Sequence, residues 1–205
     1  MSDRQRSMEL MAASETVLLI IDVQERLLPA IGNGPHVVWN TRRLLDATDQ
    51  LKIPALATEQ YPRGLGPTVP EILSRLKQSP TEKRAFSCAA CEGLLDSARA
   101  EGRHKILLVG VEAHVCVQQT ALDLQADGWR VYIATDAIGS RFQVDHETAV
   151  ARMEASGVVA TTTESAMFEW CETSDRPEFR TISQLAQEDP PVGPDHGEEF
   201  MGQFQ

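Results

Sequence analysis

Three residues of this chain have types that together suit attack on a carbonyl group: Asp22, Lys83 and Cys116. A deprotonated thiol is a strong nucleophile, and a helix N-terminus lowers a thiol pKa through its aligned peptide dipoles and free N–H groups. Those same N–H groups can hold an oxyanion. A carboxylate nearby can take the thiol proton and return it to a leaving amine, while a lysine cation stabilises the thiolate and keeps the carboxylate charged. The stretch "GVEAHVCVQQTALDL" puts Cys116 where an apolar, strand-like run gives way to a helical pattern. Asp22 follows "VLLII", and Lys83 lies within "PTEKRAF".

Such residues act together only if the fold carries them to one place, and the periodicity says how. Short β-rich apolar runs alternate with longer segments of helical spacing. "TVLLIID" predicts a first strand over Thr16 to Asp22, and "VVWNTRRLLDATDQLK" an amphipathic helix with Val38, Leu44, Leu45 and Leu51 toward the core. "IPALATE", "PTEKRAF", "HKILLVGV", "RVYIATDAI" and "VVATTTE" predict five further strands, the last followed by "SAMFEWC". Between them "TVPEILSRLK", "CEGLLDSARAEG", "VCVQQTALDLQADG" and "DHETAVARMEASG" read as helices, the last with Asp145 as N-cap and Gly157 as stop. Strict alternation calls for parallel strands joined by right-handed crossovers, hence an α/β fold, a three-layer α/β/α sandwich. In such sheets the ligand crevice lies at the carboxyl ends of the strands, where strand order reverses. With the order 3-2-1-4-5-6, strands one and four are neighbours there, and Asp22 faces Cys116.

The composition narrows the function classes. At 205 residues and 42% hydrophobic, the chain suits one domain with a sizeable core. The net charge is −11, but "EDPPVGPDHGEEFMGQFQ" from Glu188 holds acids and no Lys or Arg, so the body is only mildly acidic. We therefore expect a domain over 1–187 and an acidic, Pro/Gly-rich tail over 188–205, a composition that favours disorder unless the tail docks on a neighbouring subunit. No Lys/Arg cluster or aromatic-basic interleaving supports a nucleic-acid partner. The N-terminus lacks the apolar core of a secretory signal, and "VLLII" is far too short to span a bilayer. A cytoplasmic protein with no membrane partner is expected, consistent with four cysteines that a compact chain has no need to pair.

Four blocks, "LLIIDVQERLLP", "ATEQYPRGLGPTVPE", "TEKRAFSC" and "GVEAHVCVQQTALDLQADGWRVY", resemble the isochorismatase-like cysteine hydrolases, a group that includes nicotinamidases and N-carbamoylsarcosine amidohydrolases. The resemblance runs from Thr16 to Glu164, with the blocks in the family's order. It implies Asp22 as general acid/base, Lys83 as its cationic partner and Cys116 as nucleophile. It also implies a cis peptide between Val111 and Glu112, with the backbone N–H groups of Glu112 and Cys116 as oxyanion hole. Nicotinamidases hold a divalent metal through an aspartate and histidines after the second strand; "TEQYPRGLGPT" has no histidine there, so neither a metal nor another cofactor is expected. The resemblance further implies a small-molecule substrate and a homo-oligomer, whether dimer, tetramer or larger.

Other residues carry two readings each. Gln24, Gln60, Tyr61 and Glu112 suit pocket positions or equally turn and cap positions on loops. His114 lies two residues before the thiol and reads as pocket lining or surface. Cys88, Cys91 and Cys171 read as small hydrophobes, since a single CxxC has no second pair to complete a zinc site. Trp39, Trp129, Phe168 and Trp170 suit subunit surfaces or, by default, the core. The leading expectation is a cysteine hydrolase that cleaves a small amide, ureido or related C–N bond through a thioester. The rivals are vinyl ether hydrolysis through Asp22 without Cys116, and a catalytically silent binding protein of the same fold.

Overall fold

The computed structural model describes residues 6–192. Six strands form one parallel sheet in the order β3-β2-β1-β4-β5-β6. They are β1 (Thr16–Ile21), β2 (Ala55–Gln60), β3 (Thr81–Lys83), β4 (Lys105–Val111), β5 (Arg130–Gly139) and β6 (Val159–Thr161). The chain starts in the middle, winds outward through β2 and β3, then returns beside β1 as β4 and winds outward the other way. That reversal places β1 against β4, with Ile21 opposite Gly110.

The sheet is covered on both faces, so its central strands are apolar on both sides rather than alternating. Every residue of β1 and of β4 is buried. Leu18, Ile20, Leu107 and Val109 point into a core built with α1 (Gly34–Leu51), α7 (Thr163–Cys171) and α8 (Phe179–Ala186). Val17, Leu19, Ile21, Ile106 and Leu108 point the other way, toward α4 (Asp96–Ala100), α5 (Gln118–Ala126) and α6 (Gln143–Ala155). Trp129 and Trp170 are buried in these two cores, one in each, whereas Trp39 is half-buried and Phe168 is exposed. In α1, Leu44, Leu45 and Leu51 are buried as their spacing requires, and Val38 packs at the margin of the core.

Several elements differ from the sequence expectation, each for a local reason. The helix read from Thr68 shortens to α3 (Pro70–Leu73), preceded by a single turn, α2 (Pro62–Leu65). The segment from Cys91 forms a helix only over α4, because Gly93 at φ +74° interrupts it. Asp145 is not the N-cap of α6: that helix starts at Gln143 with Phe142 as its cap, and Asp145 lies in the first turn, where a carboxylate still favours the dipole. The sixth strand ends at Thr161, because the Thr162 hydroxyl accepts from the Ser165 N–H and begins α7. Helix α8 was not read from the sequence. Of the tail expected over 188–205, residues beyond Val192 lie outside the described residues; Glu188, where it starts, pairs with Arg42 on α1. Among the described residues no helix is long and apolar enough to cross a membrane.

One glycine sets how closely the two central strands approach at the switch. Gly110 has φ +113°, and a Cβ there would lie 2.0 Å from the Ile21 carbonyl oxygen. Backbone cannot yield as a side-chain tip can. Gly110→Ala is therefore expected to lower stability by more than about 3 kcal/mol, read as a fall in the urea midpoint, because it combines strain at a special φ with overpacking.

Candidate active site

Asp22 follows β1 directly, in the left-handed region at φ +55°, a conformation costly for a residue with a Cβ. Its N–H is held by the Thr58 carbonyl (3.2 Å), and its fully buried side chain turns into the crevice instead of continuing the strand. One carboxylate oxygen accepts from Lys83 Nζ at 2.7 Å and the other from the Thr58 hydroxyl at 2.8 Å. The Lys83 side chain is 2% exposed. Its ammonium also donates to Gln60 Oε1 (2.9 Å) and to the carbonyls of Phe86 (3.0 Å) and Ala85 (3.4 Å), so the charge is solvated entirely by protein. Burial opposes that charge, but the charge of the Asp22 carboxylate and its hydrogen bond hold the lysine above its ordinary pKa.

Cys116 enters from the opposite side of the switch. It lies in a π-helical turn (Ala113–Val117) between β4 and α5, and such wide turns are often found at functional sites. The sequence predicted a thiol acidified by a helix N-terminus. The structure corrects this. Cys116 is buried, and burial, the Asp22 charge and a hydrogen bond to Asp22 push its pKa far up, with Lys83 opposing them less strongly. The residue precedes the helix proper, and its dominant charged neighbour is an anion. The resting pair is therefore a thiol beside a carboxylate. The peptide between Val111 and Glu112 is cis, as expected.

This arrangement joins Asp22, Lys83 and Cys116 in one buried cluster at the carboxyl ends of β1, β3 and β4. Residues 16–165 match the Isochorismatase domain family. The chain belongs to the isochorismatase-like hydrolase family. It is 41% identical to isochorismatase domain-containing protein 2 of Danio rerio, covering 83% of this chain and 86% of that one. With the human protein of the same name it shares 38% identity over 93% of this chain and 89% of the other. A solved structure described as MAR1 ribonuclease from Caenorhabditis elegans superposes with a TM-score of 0.83 at 34% identity, covering 92% and 96% of the two chains.

Within this isochorismatase-like frame the remaining expected residues separate into groups. Gln24 is fully buried and spends its amide on backbone: Nε2 donates to the Gly66 and Gln60 carbonyls and Oε1 accepts from the Gln60 N–H. It clasps the loop after β2 and has no polar atom left to meet a ligand. Gln60 likewise spans Lys83 and the Arg84 carbonyl. Tyr61 is exposed, with the Arg84 guanidinium 3.9 Å over its ring. His114 is partly exposed, with Nδ1 3.0 Å from the Ser140 hydroxyl and Nε2 3.8 Å from Asp145. The Glu112 carboxylate accepts from both the N–H and Nε of Arg141, at 3.1 Å each. Thr58, Ser140 and Arg141 were not singled out from the sequence, and Cys88 was read only as a small hydrophobe. Their types are common on strands and loops, and only the folded contacts distinguish them. A separate groove of about 660 Å³, lined by Leu28, Pro29, Val38, Trp39 and Val69 among others, is apolar and holds none of the three cluster residues.

The buried pair makes a testable demand. Lys83→Met leaves the Asp22 charge without its main partner and is expected to cost about 3–5 kcal/mol at neutral pH in denaturant unfolding. Adding Asp22→Asn should recover part of that loss. Because the folded lysine pKa is raised, its contribution is present below the ordinary lysine value and is lost as pH rises through the higher folded value.

Proposed function

We propose that this chain is a cysteine hydrolase that cleaves a small amide, ureido or related carbonyl C–N bond through a covalent thioester. One observation carries the reading: a buried carboxylate bonded to a lysine ammonium, with a buried thiol beside it. Asp22 takes the Cys116 proton as sulphur attacks the carbonyl carbon. A neutral thiol beside its base suits this step, since the proton leaves only as the new bond forms. The oxyanion rests on the backbone N–H groups of Glu112 and Cys116. Asp22 then protonates the departing nitrogen, the C–N bond breaks, and a water deprotonated by the same carboxylate hydrolyses the thioester. Lys83 keeps Asp22 charged between these transfers. No step calls for a metal or organic cofactor.

The Caenorhabditis elegans neighbour bears a ribonuclease name. Here the net charge of −11 and the enclosed cluster favour a compact substrate over a polyanion. Self-association belongs to the same reading: Phe86, Phe142 and Val144 are exposed on segments after β3 and β5, at the end of the sheet that carries the cluster. A cytoplasmic setting is supported by the four unpaired cysteines.

A panel of small amides and ureides, assayed with wild type and the Cys116→Ala and Asp22→Asn variants, tests the mechanism. Each substitution is expected to lower kcat/KM on the order of a thousandfold or more while circular dichroism stays unchanged. Turnover that survives Cys116→Ala but not Asp22→Asn would move the assignment to ether hydrolysis by Asp22 alone.

A further inference from the structure

We infer that Thr58 is a positioning residue for Asp22, and that the Cys88 thiol fixes the direction in which the Thr58 hydroxyl points. The inference rests on the proposed role of Asp22 as the base for Cys116. Apart from the Cys116 thiol, Asp22 has one donor on each oxygen, Lys83 on one and Thr58 on the other. A carboxylate only accepts, so the single Thr58 hydroxyl proton is committed to Asp22. Thr58 Oγ1 also lies 3.5 Å from Cys88 Sγ. With its proton spent, Oγ1 can only accept there, and Cys88 must donate. Burial supplies the condition, since it pushes the Cys88 thiol up to about 11 and keeps its proton on sulphur at neutral pH.

Cys88 is itself held in place. Its N–H donates to the Thr120 hydroxyl (2.9 Å), and Thr120 belongs to α5, the helix that follows the Cys116 turn. The line Thr120, Cys88, Thr58, Asp22 thus ties α5 to the ends of β2 and β1, and none of its members is more than 1% exposed. Two fixed donors set the plane of the carboxylate, which otherwise would be free to turn about its last bond and present a different oxygen to the thiol. The titratable groups that act on Asp22, or are acted on by it, are Lys83, Cys88, Cys91 and Cys116. Among the described residues, Thr58 is the neutral side-chain donor to Asp22 that does not titrate.

The sign of the effect follows. The Thr58 donor favours the charged form of Asp22, so removing it lets Asp22 hold a proton at higher pH. The readout is the rate of Cys116 alkylation by iodoacetamide against pH in the full chain, resolved from the other thiols by peptide mapping. In Thr58→Val the acid limb is expected to move up by roughly one pH unit, the equivalent of a hydrogen bond to a charged group. Thr58→Ser, which keeps the hydroxyl, should restore it. Cys88→Ala, whose route to the Asp22 oxygens in this line runs through Thr58, should move the limb the same way by less and Cys88→Ser should return it, independently of how well Thr58→Val folds. Wild-type profiles for both Thr58→Val and Cys88→Ala, with the limb abolished in Asp22→Asn, overturn the positioning role alone. A wild-type profile in Asp22→Asn overturns the role of Asp22 on which the inference stands.

Discussion

A carboxylate and an ammonium 2.7 Å apart, with almost no solvent on either, dominate the design of this molecule. Each ion loses several kcal/mol of hydration on burial, and mutual attraction repays that only when the remaining hydrogen-bonding positions are filled. They are filled here by groups from separate elements: Thr58 and Gln60 on β2, and the backbone after β3. The parallel register between β2 and β3 sets Gln60 opposite Lys83, and the hydrogen bond from Asp22 N–H to Thr58 binds the end of β1 to β2. A shift of one residue in either pairing would send Lys83 or Asp22 to the other face of the sheet. The sheet order, the left-handed turn at Asp22 and the buried Gln24 clasp can all be understood as meeting this one electrostatic requirement.

The chemistry of the thiol follows from the same pair. A charged aspartate next to sulphur makes the thiolate costly, so the nucleophile waits with its proton on. Reactivity then depends on moving one proton over a short path rather than on a standing anion. This differs from the helix-dipole argument drawn from the chain alone. Cys116 lies in a π-helical turn before the helix proper, buried, with the carboxylate as its main charged neighbour.

How much was visible beforehand depended on whether a feature is local. Strands β1 and β4 are continuous apolar runs bounded by Asp22 and by the segment before Cys116, and the order of the sheet follows from alternation together with the family resemblance. That Asp22 and Cys116 come together was legible for the same reason, since each follows one of these runs, whereas Lys83 was expected beside them mainly from the family resemblance. Short elements were not legible: α2, α3 and α4 are one turn or little more, and their limits are set by tertiary contacts and single glycines rather than by periodicity. Gln24 shows the remaining gap. Its type suited a ligand pocket, but which carbonyls surround an amide is decided by loops distant in sequence, here residues 60 and 66. Thr58 and Cys88 were hidden likewise, since a buried threonine and a buried thiol look ordinary until their partners are placed.

The resting site holds a protonated Cys116 beside an Asp22 carboxylate paired with Lys83. Infrared difference spectroscopy between wild type and Cys116→Ala at neutral pH reads it directly through the S–H stretching band, with Asp22→Asn identifying the hydrogen-bond partner by a shift of that band. A Cys116 S–H band displaced by hydrogen bonding is expected, together with a carboxylate rather than a carboxylic acid signal from Asp22. A missing S–H band with thiolate absorbance in the near ultraviolet, or a protonated Asp22, would contradict it.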